Sequence, residues 1–514
     1  MSTLADHGDA PEGGWDALVI GTGIGGGTLG RRLAEAGMRV LFLEKGQADA
    51  RSAENGLSEV ALPEARAVRG LWPAPLTATV DGITQRFFAP LGSGPGGSSV
   101  FYAATLERPD RHDIDDTPGR PHPTGGWPLG FDTLAPSYAE AARLYRVYGT
   151  PDPLSPEVPL PLRAPPPLTA VEARLFDRLQ RSGLHPYHAP TGIERIDGCR
   201  MCLGRKCPKA CKMDGRSAGV EPALATGRAR LVTGAEVTRL VMDGDRIAAV
   251  EATVDGTSRR FTARRIVLAG GALGSPRVLL RSACEDWPDG VANRSGLVGR
   301  NLMFHLNEIL AVWPGLDGPP TKAVSFRDLY HRDGQRLGTV QAMGIRASYG
   351  EITYYLQRML EGTRLAPLAP VARLPAALAA RLLGSAQILV GLLEDLPYRE
   401  NRVGADGHIH YTLHDELKAR RRVFRRALRQ AFRGQRGLLL GIAPDLNWGH
   451  PCGTLRFGHD PAHSVLRADG RTHDVENLWV ADASFMPTSM GVNPSLTIAA
   501  FALHVADGML GGRK

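Results

Sequence analysis

Asp16-Ala-Leu-Val-Ile20, Gly21-Thr-Gly23-Ile-Gly-Gly26 and Arg39-Val-Leu-Phe-Leu43-Glu44 are the stretches from which the fold can be read. The first is a short apolar run suited to a buried parallel strand. It enters a G-x-G-x-x-G turn, after which Leu29, Leu33 and Ala36 share one helical face up to Gly37. A second apolar strand then delivers the acid Glu44. The glycines have separate tasks. Gly21 permits the tight turn, Gly23 admits a pyrophosphate to the backbone, and Gly26 lets helix and strand pack closely. The helix N-terminus offers free N–H groups and positive potential to the phosphates. Glu44 can accept from both ribose hydroxyls, and its charge disfavours a 2′-phosphate. Strand, turn, helix, strand and acid in this order predict a dinucleotide-binding unit, without choosing between NAD and FAD.

Outward from that unit, the chain is long. Its 514 residues are enough for about two to four domains. The net charge of +8 raises the question of a nucleic-acid or membrane partner. The arginines are dispersed among acids, and no basic stripe carries the interleaved aromatics that stack on bases. Arg420 to Arg422, Arg425 and Arg426 lie in a helical-looking stretch and read as a solvated face. Residues 1–14 are polar and acidic, unlike a secretory signal. No run reaches the roughly 20 apolar residues of a membrane helix. Leu365–Leu393 comes nearest, but Arg373, Arg381 and prolines interrupt it, so it reads as loop plus amphipathic helix. A cytoplasmic protein with no integral membrane segment and no nucleic-acid partner is expected.

A second glycine loop, Leu91-Gly-Ser-Gly-Pro-Gly-Gly-Ser-Ser99, has almost no side chains and could let a flat ligand lie on its backbone. Further on come Val267-Leu-Ala-Gly-Gly-Ala-Leu-Gly-Ser-Pro276, His450-Pro-Cys-Gly-Thr454, Leu478-Trp-Val-Ala-Asp-Ala-Ser484 and Asn493-Pro-Ser-Leu-Thr497. Together with Gly126-Trp-Pro128, Gly296-Leu-Val-Gly-Arg-Asn301 and Glu394-Asp-Leu-Pro397, these segments resemble the glucose–methanol–choline (GMC) family of flavin oxidoreductases, from Trp15 to about Leu510. The chain departs from the family at Ala283-Cys284, where a glycine usually follows Ser282, and at Tyr102, where many members carry asparagine.

The resemblance implies an α/β fold: a doubly wound, Rossmann-like FAD domain assembled from separated segments, plus a substrate domain of mixed sheet and helices. Residues 15–130, 213–300 and 446–514 are assigned to the first, 131–198 and 301–445 to the second, and 199–212 to a cysteine-rich boundary loop. The resemblance further implies that Gly21, Gly23, Gly26, Glu44, Gly92, Gly96, Gly97, Ser98, Val237, Asp482, Ala483 and Pro494 surround the cofactor, with Val237 near adenine and Asp482 near the ribityl and pyrophosphate. With no histidine between Leu91 and Tyr102, the FAD is expected to be non-covalent.

Removing hydride from an alcohol carbon requires loss of the hydroxyl proton as hydride passes to flavin N5. A neutral imidazole suits that base, and a second group must hold the oxygen so that the C–H bond points at the ring. The family pattern maps these roles onto His450 and Asn493. Asn493 before Pro494 also reads as an ordinary helix N-cap. His305, in Leu302-Met-Phe-His305, is open to packing or substrate contact. The expected substrate is a small alcohol such as a polyol, sugar or cyclitol, with O2 or an external carrier as acceptor. The competing readings are a flavin-containing lyase of the cyanohydrin type and a non-catalytic flavoprotein.

Four of the six cysteines fall within thirteen residues: Cys199, Cys202, Cys207 and Cys211. Such spacing can serve an iron–sulfur cluster, zinc, or a disulfide or plain-thiol loop. The last three resemble the stretch holding a three-iron cluster in bacterial FAD-dependent glucose dehydrogenases of this family. A cluster would favour one-electron transfer to a carrier.

Overall fold

Short apolar runs drawn from both ends of the chain and its middle meet in one parallel sheet. A computed structural model describes residues 4, 6–47, 63–197, 199, 206–209, 211–345, 349–360, 366–441 and 443–511. The sheet order is Leu478–Val480, Ala263–Leu268, Trp15–Ile20 (β1), Val40–Leu43 (β2) and Ala229–Val232. β2 is buried at all its positions and β1 at all but Asp16, as expected of strands covered on both faces. The helix Ile24–Glu35 (α1) connects the two and packs against the C-terminal helix Ser495–Met509. That packing is close enough to demand glycine. A Cβ on Gly25 would stand 1.4 Å from the Ala481 carbonyl oxygen, and one on Gly30 2.2 Å from the Phe42 ring.

The helix Phe131–Leu144 also packs on Ser495–Met509, with Phe131, Leu134, Tyr138 and Ala141 in the same apolar core as β1 and β2. The start of the stretch 131–198 is therefore joined to the nucleotide-type sheet, while its end, Tyr187–His188, pairs into the second sheet.

The second sheet runs Gly437–Leu439, Leu306–Val312, Gln387–Leu393, Val340–Ala342, Val324–Phe326 and Tyr187–His188, paired antiparallel throughout, with Asp445–Leu446 added beside Leu306–Val312. Mixed pairing occurs in a smaller sheet, where Ile409–Tyr411 runs parallel to Leu76–Val80. Leu365–Leu393 is only partly what its composition suggests. Arg373–Leu383 is helical, but Gln387–Leu393 is a fully buried central strand. An unbroken apolar run covered on both faces fits a sheet interior better than an amphipathic helix.

The arginine cluster also differs from its expected solvated role. On the helix Asp415–Ala431, Arg421 and Arg425 both pair with buried Glu308. Arg420 is buried, pairs with Glu416 and donates to the Glu394 carbonyl at 2.7 Å. Of the cluster, Arg422 and Arg426 face solvent. A carboxylate at the sheet's centre must be paired to remain charged, so these arginines turn inward. Among the described residues, no helix is long and apolar enough to cross a membrane.

Candidate active site

A cavity of about 830 Å³ extends from the first glycine turn to His450 and Asn493, between the parallel sheet and the antiparallel one. At the glycine end, Gly21 has φ +99° and leaves no room for a side chain, since a Cβ would lie 2.5 Å from the Ala269 oxygen. Gly23 heads α1 with no side-chain cap and no acid in the first turn, so the helix N-terminus is open to an anion. The second glycine loop lies directly on this turn: a Cβ on Gly97 would be 3.2 Å from Gly23 Cα. Gly92, Gly97 and Ser98 line the cavity, and Ser98 Oγ accepts from Gly92 N at 3.0 Å.

Gly26 and Gly96 stand behind the wall instead. Gly26 is pressed on the Gly21 carbonyl, and Gly96, at φ +94°, donates its N–H to Thr22 Oγ1 at 3.2 Å. Thr22 in turn donates its hydroxyl to Glu44 Oε2 at 2.5 Å. Glu44 also accepts from Thr22 N and Gly46 N, both at 3.1 Å. It is therefore partly satisfied by the protein, and burial pushes its pKa up.

Val237, Ala483 and Pro494 line the cavity as well. Asp482 lines it too, but its oxygens are engaged: Gly271 N donates at 2.9 Å, Ser275 Oγ at 2.5 Å, Ser484 N at 2.9 Å, and Ser484 Oγ donates as well. Its role in the structure is to clamp the turn that starts the helix Gly271–Arg281. Burial raises its pKa.

At the other end, Met303 and Cys452 exchange backbone hydrogen bonds at 3.0 Å, and Asn447 N donates to the His305 carbonyl at 2.8 Å. This antiparallel apposition brings the rings of His305 and His450 together, with Nδ1 to Nδ1 at 3.1 Å. His450 is half-buried and lines the cavity, whereas His305 is fully buried. His305 Nε2 lies 2.9 Å from the Met490 carbonyl, on a residue held at φ +58°. Burial pushes His305 down to about 4. Burial, then the neighbouring imidazole, pushes His450 down to about 3. Both rings are therefore neutral near pH 7.

Asn493 is buried in the cavity wall, and its Oδ1 has no hydrogen-bond partner in the protein. It does not cap the final helix. That position is taken by Pro494, which has no side-chain acceptor to offer. Asn307, Gln341 and Asn447 line the same end, and Gln341 Oε1 is likewise buried and unpartnered. None of these three amides stood out in the sequence. Asn447 lies three residues before His450, and Gln341 is an inward position of a strand only three residues long, so neither had a motif to mark it.

The cysteine segment packs behind this wall. Lys212 Nζ donates to the Tyr102 carbonyl at 3.3 Å, and Tyr102 OH donates to the Met213 carbonyl at 2.6 Å, while Tyr102 itself lines the cavity. Cys207 and Cys211 hold their sulfurs 3.2 Å apart, with Cys199 beside Cys211. Cys202 lies outside the described residues. Among those described, no group of three or more Cys, His, Asp or Glu side chains is arranged to hold a metal ion.

Two profiles described as GMC oxidoreductase match the chain, over residues 180–307 and 443–502. The chain is 31% identical over 538 residues to 6'''-hydroxyparomomycin C oxidase of Streptomyces lividus, covering 96% of this chain and 90% of that protein. It is 29% identical to 2-methyl-1,2-propanediol dehydrogenase of Mycolicibacterium austroafricanum, covering 99% and 96%. Among solved structures, a formate oxidase of Aspergillus oryzae aligns with a TM-score of 0.67 at 15% identity, covering 99% of each chain. At that identity the likeness concerns the fold alone.

Proposed function

We propose that this chain, which belongs to the GMC oxidoreductase family, oxidises a neutral, multiply hydroxylated alcohol using His450 as base and Asn493 as the holder of the same oxygen. It is an FAD-dependent oxidoreductase acting on CH–OH groups. When bound, the flavin supplies the acceptor for the hydride. The cavity's residues suit it: an uncapped helix N-terminus for the pyrophosphate, side-chain-free loops where the backbone must approach, and Glu44 at the strand end for ribose.

The observation that carries the reading is the partnerless Asn493 Oδ1 in the same cavity as a neutral imidazole. A buried carboxamide oxygen without a partner costs about 1–3 kcal/mol, a cost that a second hydroxyl of the substrate would offset by donating there, leaving Asn493 Nδ2 to donate to the reacting oxygen and that hydroxyl's own proton for His450. His450 then accepts the hydroxyl proton, and the two groups together orient the C–H bond.

Substrate class follows from the charges. The amides Asn307, Gln341, Asn447 and Asn493 line the His450 end. Of the acids in the lining, Glu44 lies at the glycine end, Glu236 pairs with Lys45, and Asp482 is engaged by Ser275 and Ser484. An ammonium-bearing substrate would want a free carboxylate there. Amides donate and accept, which suits several hydroxyls.

Anaerobic flavin bleaching by a panel of neutral polyols, amino sugars and sugar acids tests this. Neutral polyols are expected to bleach the flavin, and His450→Ala to retain FAD while slowing bleaching about 10²-fold or more. Bleaching by charged substrates alone, or at the parent rate in His450→Ala, contradicts the proposal.

The cysteine loop bears on the acceptor. An iron–sulfur cluster on Cys199, Cys202, Cys207 and Cys211 would favour an external one-electron carrier; without one, O2 stays open as acceptor. Iron and acid-labile sulfide analysis of purified protein decides between them.

A further inference from the structure

We propose that His305 is a positioning residue that fixes the tautomer of His450, holding its proton on Nδ1 and leaving Nε2 bare toward the cavity. This rests on the reading of His450 as the base.

The Met490 carbonyl fixes the first proton. A carbonyl can only accept, so the His305 nitrogen 2.9 Å from it, Nε2, carries hydrogen. His305 is fully buried and neutral near pH 7, and a neutral imidazole has one N–H. Its Nδ1 is therefore a bare acceptor, 3.1 Å from His450 Nδ1. A hydrogen bond forms across that gap only if His450 carries its proton on Nδ1. Its other nitrogen, Nε2, then keeps a lone pair.

A second neighbour asks for the opposite. Asn447 has its amide oriented by two contacts: its Oδ1 accepts from Gly449 N at 3.1 Å, and its Nδ2 donates to Asn307 Oδ1 at 3.2 Å. This sets Nδ2 3.2 Å from His450 Nδ1, where an amide N–H would favour a bare nitrogen and move the imidazole proton to Nε2. That tautomer cannot accept a substrate proton at Nε2.

Burial decides between the two. With His450 Nδ1 bare, two lone pairs would face each other, and the Nδ1 of His305 would have no partner in a fully buried position, at a cost of about 1–3 kcal/mol. With Nδ1 protonated, Asn447 forgoes one contact but keeps its bond to Asn307, and it is only half-buried at the cavity edge. The pairing with His305 prevails. His305 also ties together the two segments that matter, one bearing His450 and the other running from Met490 to Asn493. Without it, Asn447 would set the wrong tautomer.

The test is histidine tautomer assignment by nitrogen NMR on 15N-histidine-labelled holoenzyme, with His450→Gln identifying the His450 signals. The expected spectrum has hydrogen on His450 Nδ1 and none on Nε2. In His305→Leu the proton moves to Nε2, and flavin reduction at saturating alcohol falls about 10²-fold, with FAD content unchanged. In His305→Asn, whose Oδ1 can accept from His450 Nδ1, the tautomer is restored and the rate recovers to within about tenfold of the parent. Hydrogen on Nε2 in the parent protein overturns the proposal, as does His305→Leu that leaves the tautomer unmoved. Should His305→Leu not fold, the parent spectrum and His305→Asn still decide. If His450→Gln reduced flavin at the parent rate, the base assignment would fall while the tautomer result stood by itself.

Discussion

Acidification gives a direct test of a neutral base. An imidazole in water titrates near 6.5, whereas burial and His305 push His450 down to about 3, and burial pushes His305 down to about 4. Both shifts favour the neutral form, so the proton-accepting state persists as pH falls. One pH unit is a factor of ten in protonation ratio. At pH 5.5 an unperturbed imidazole is therefore only about one-tenth neutral, while a group titrating near 3 remains about 99% neutral. The titratable group facing His450 is His305, behind which Glu394 acts to raise the pKa of His305; the amides of Asn447 and Asn307 do not titrate. The rate constant for flavin reduction, measured by anaerobic stopped flow at saturating alcohol, is expected to change less than about twofold between pH 7.5 and 5.5. A tenfold-per-unit fall with an apparent pKa between 6 and 7 would refute the reasoning. The same shifts enter stability. Because folded values lie below the unfolded one, their contribution is complete above about pH 6.5 and is lost as pH falls toward 4 and then 3. The melting temperature should decline across that window, and less steeply in His305→Asn.

Further outcomes follow from particular contacts. Asn493→Ala removes the partnerless carboxamide and should slow flavin reduction about 10- to 10²-fold with FAD content unchanged; an unaltered rate would show that the amide holds nothing during the reaction. Gly25→Ala would drive a methyl group to 1.4 Å from the Ala481 oxygen. The protein should then be recovered without flavin or not at all, a loss in the class above about 4 kcal/mol. Gly508→Ala, in open space near the end of the same helix pair, should match or slightly raise the parent melting temperature. A Gly25→Ala protein that melted like the parent would mean that α1 does not lie on the Ala481 turn.

The nucleotide-type half was legible because its constraints are local. Gly21 needs a positive φ, Gly23 begins a helix, and β1 and β2 are short, largely apolar runs, the second leading to Glu44; backbone geometry of this kind is written in consecutive residues. His450 and Asn493, singled out through their motifs, line one cavity in the structure. What tertiary structure alone decided depends on partners far apart in the chain. Arg421 and Arg425 turn inward only because Glu308 lies buried beneath them, and composition cannot distinguish that from a solvated face. Gln387–Leu393 becomes a strand because Leu306–Val312 and Val340–Ala342 stand ready on its two edges. His305 meets His450 across 145 residues because the Met303 and Cys452 backbones pair. Charge state and tautomer belong to that second class. They are set by burial and by the nearest acceptor, and neither quantity exists until the chain has closed on itself.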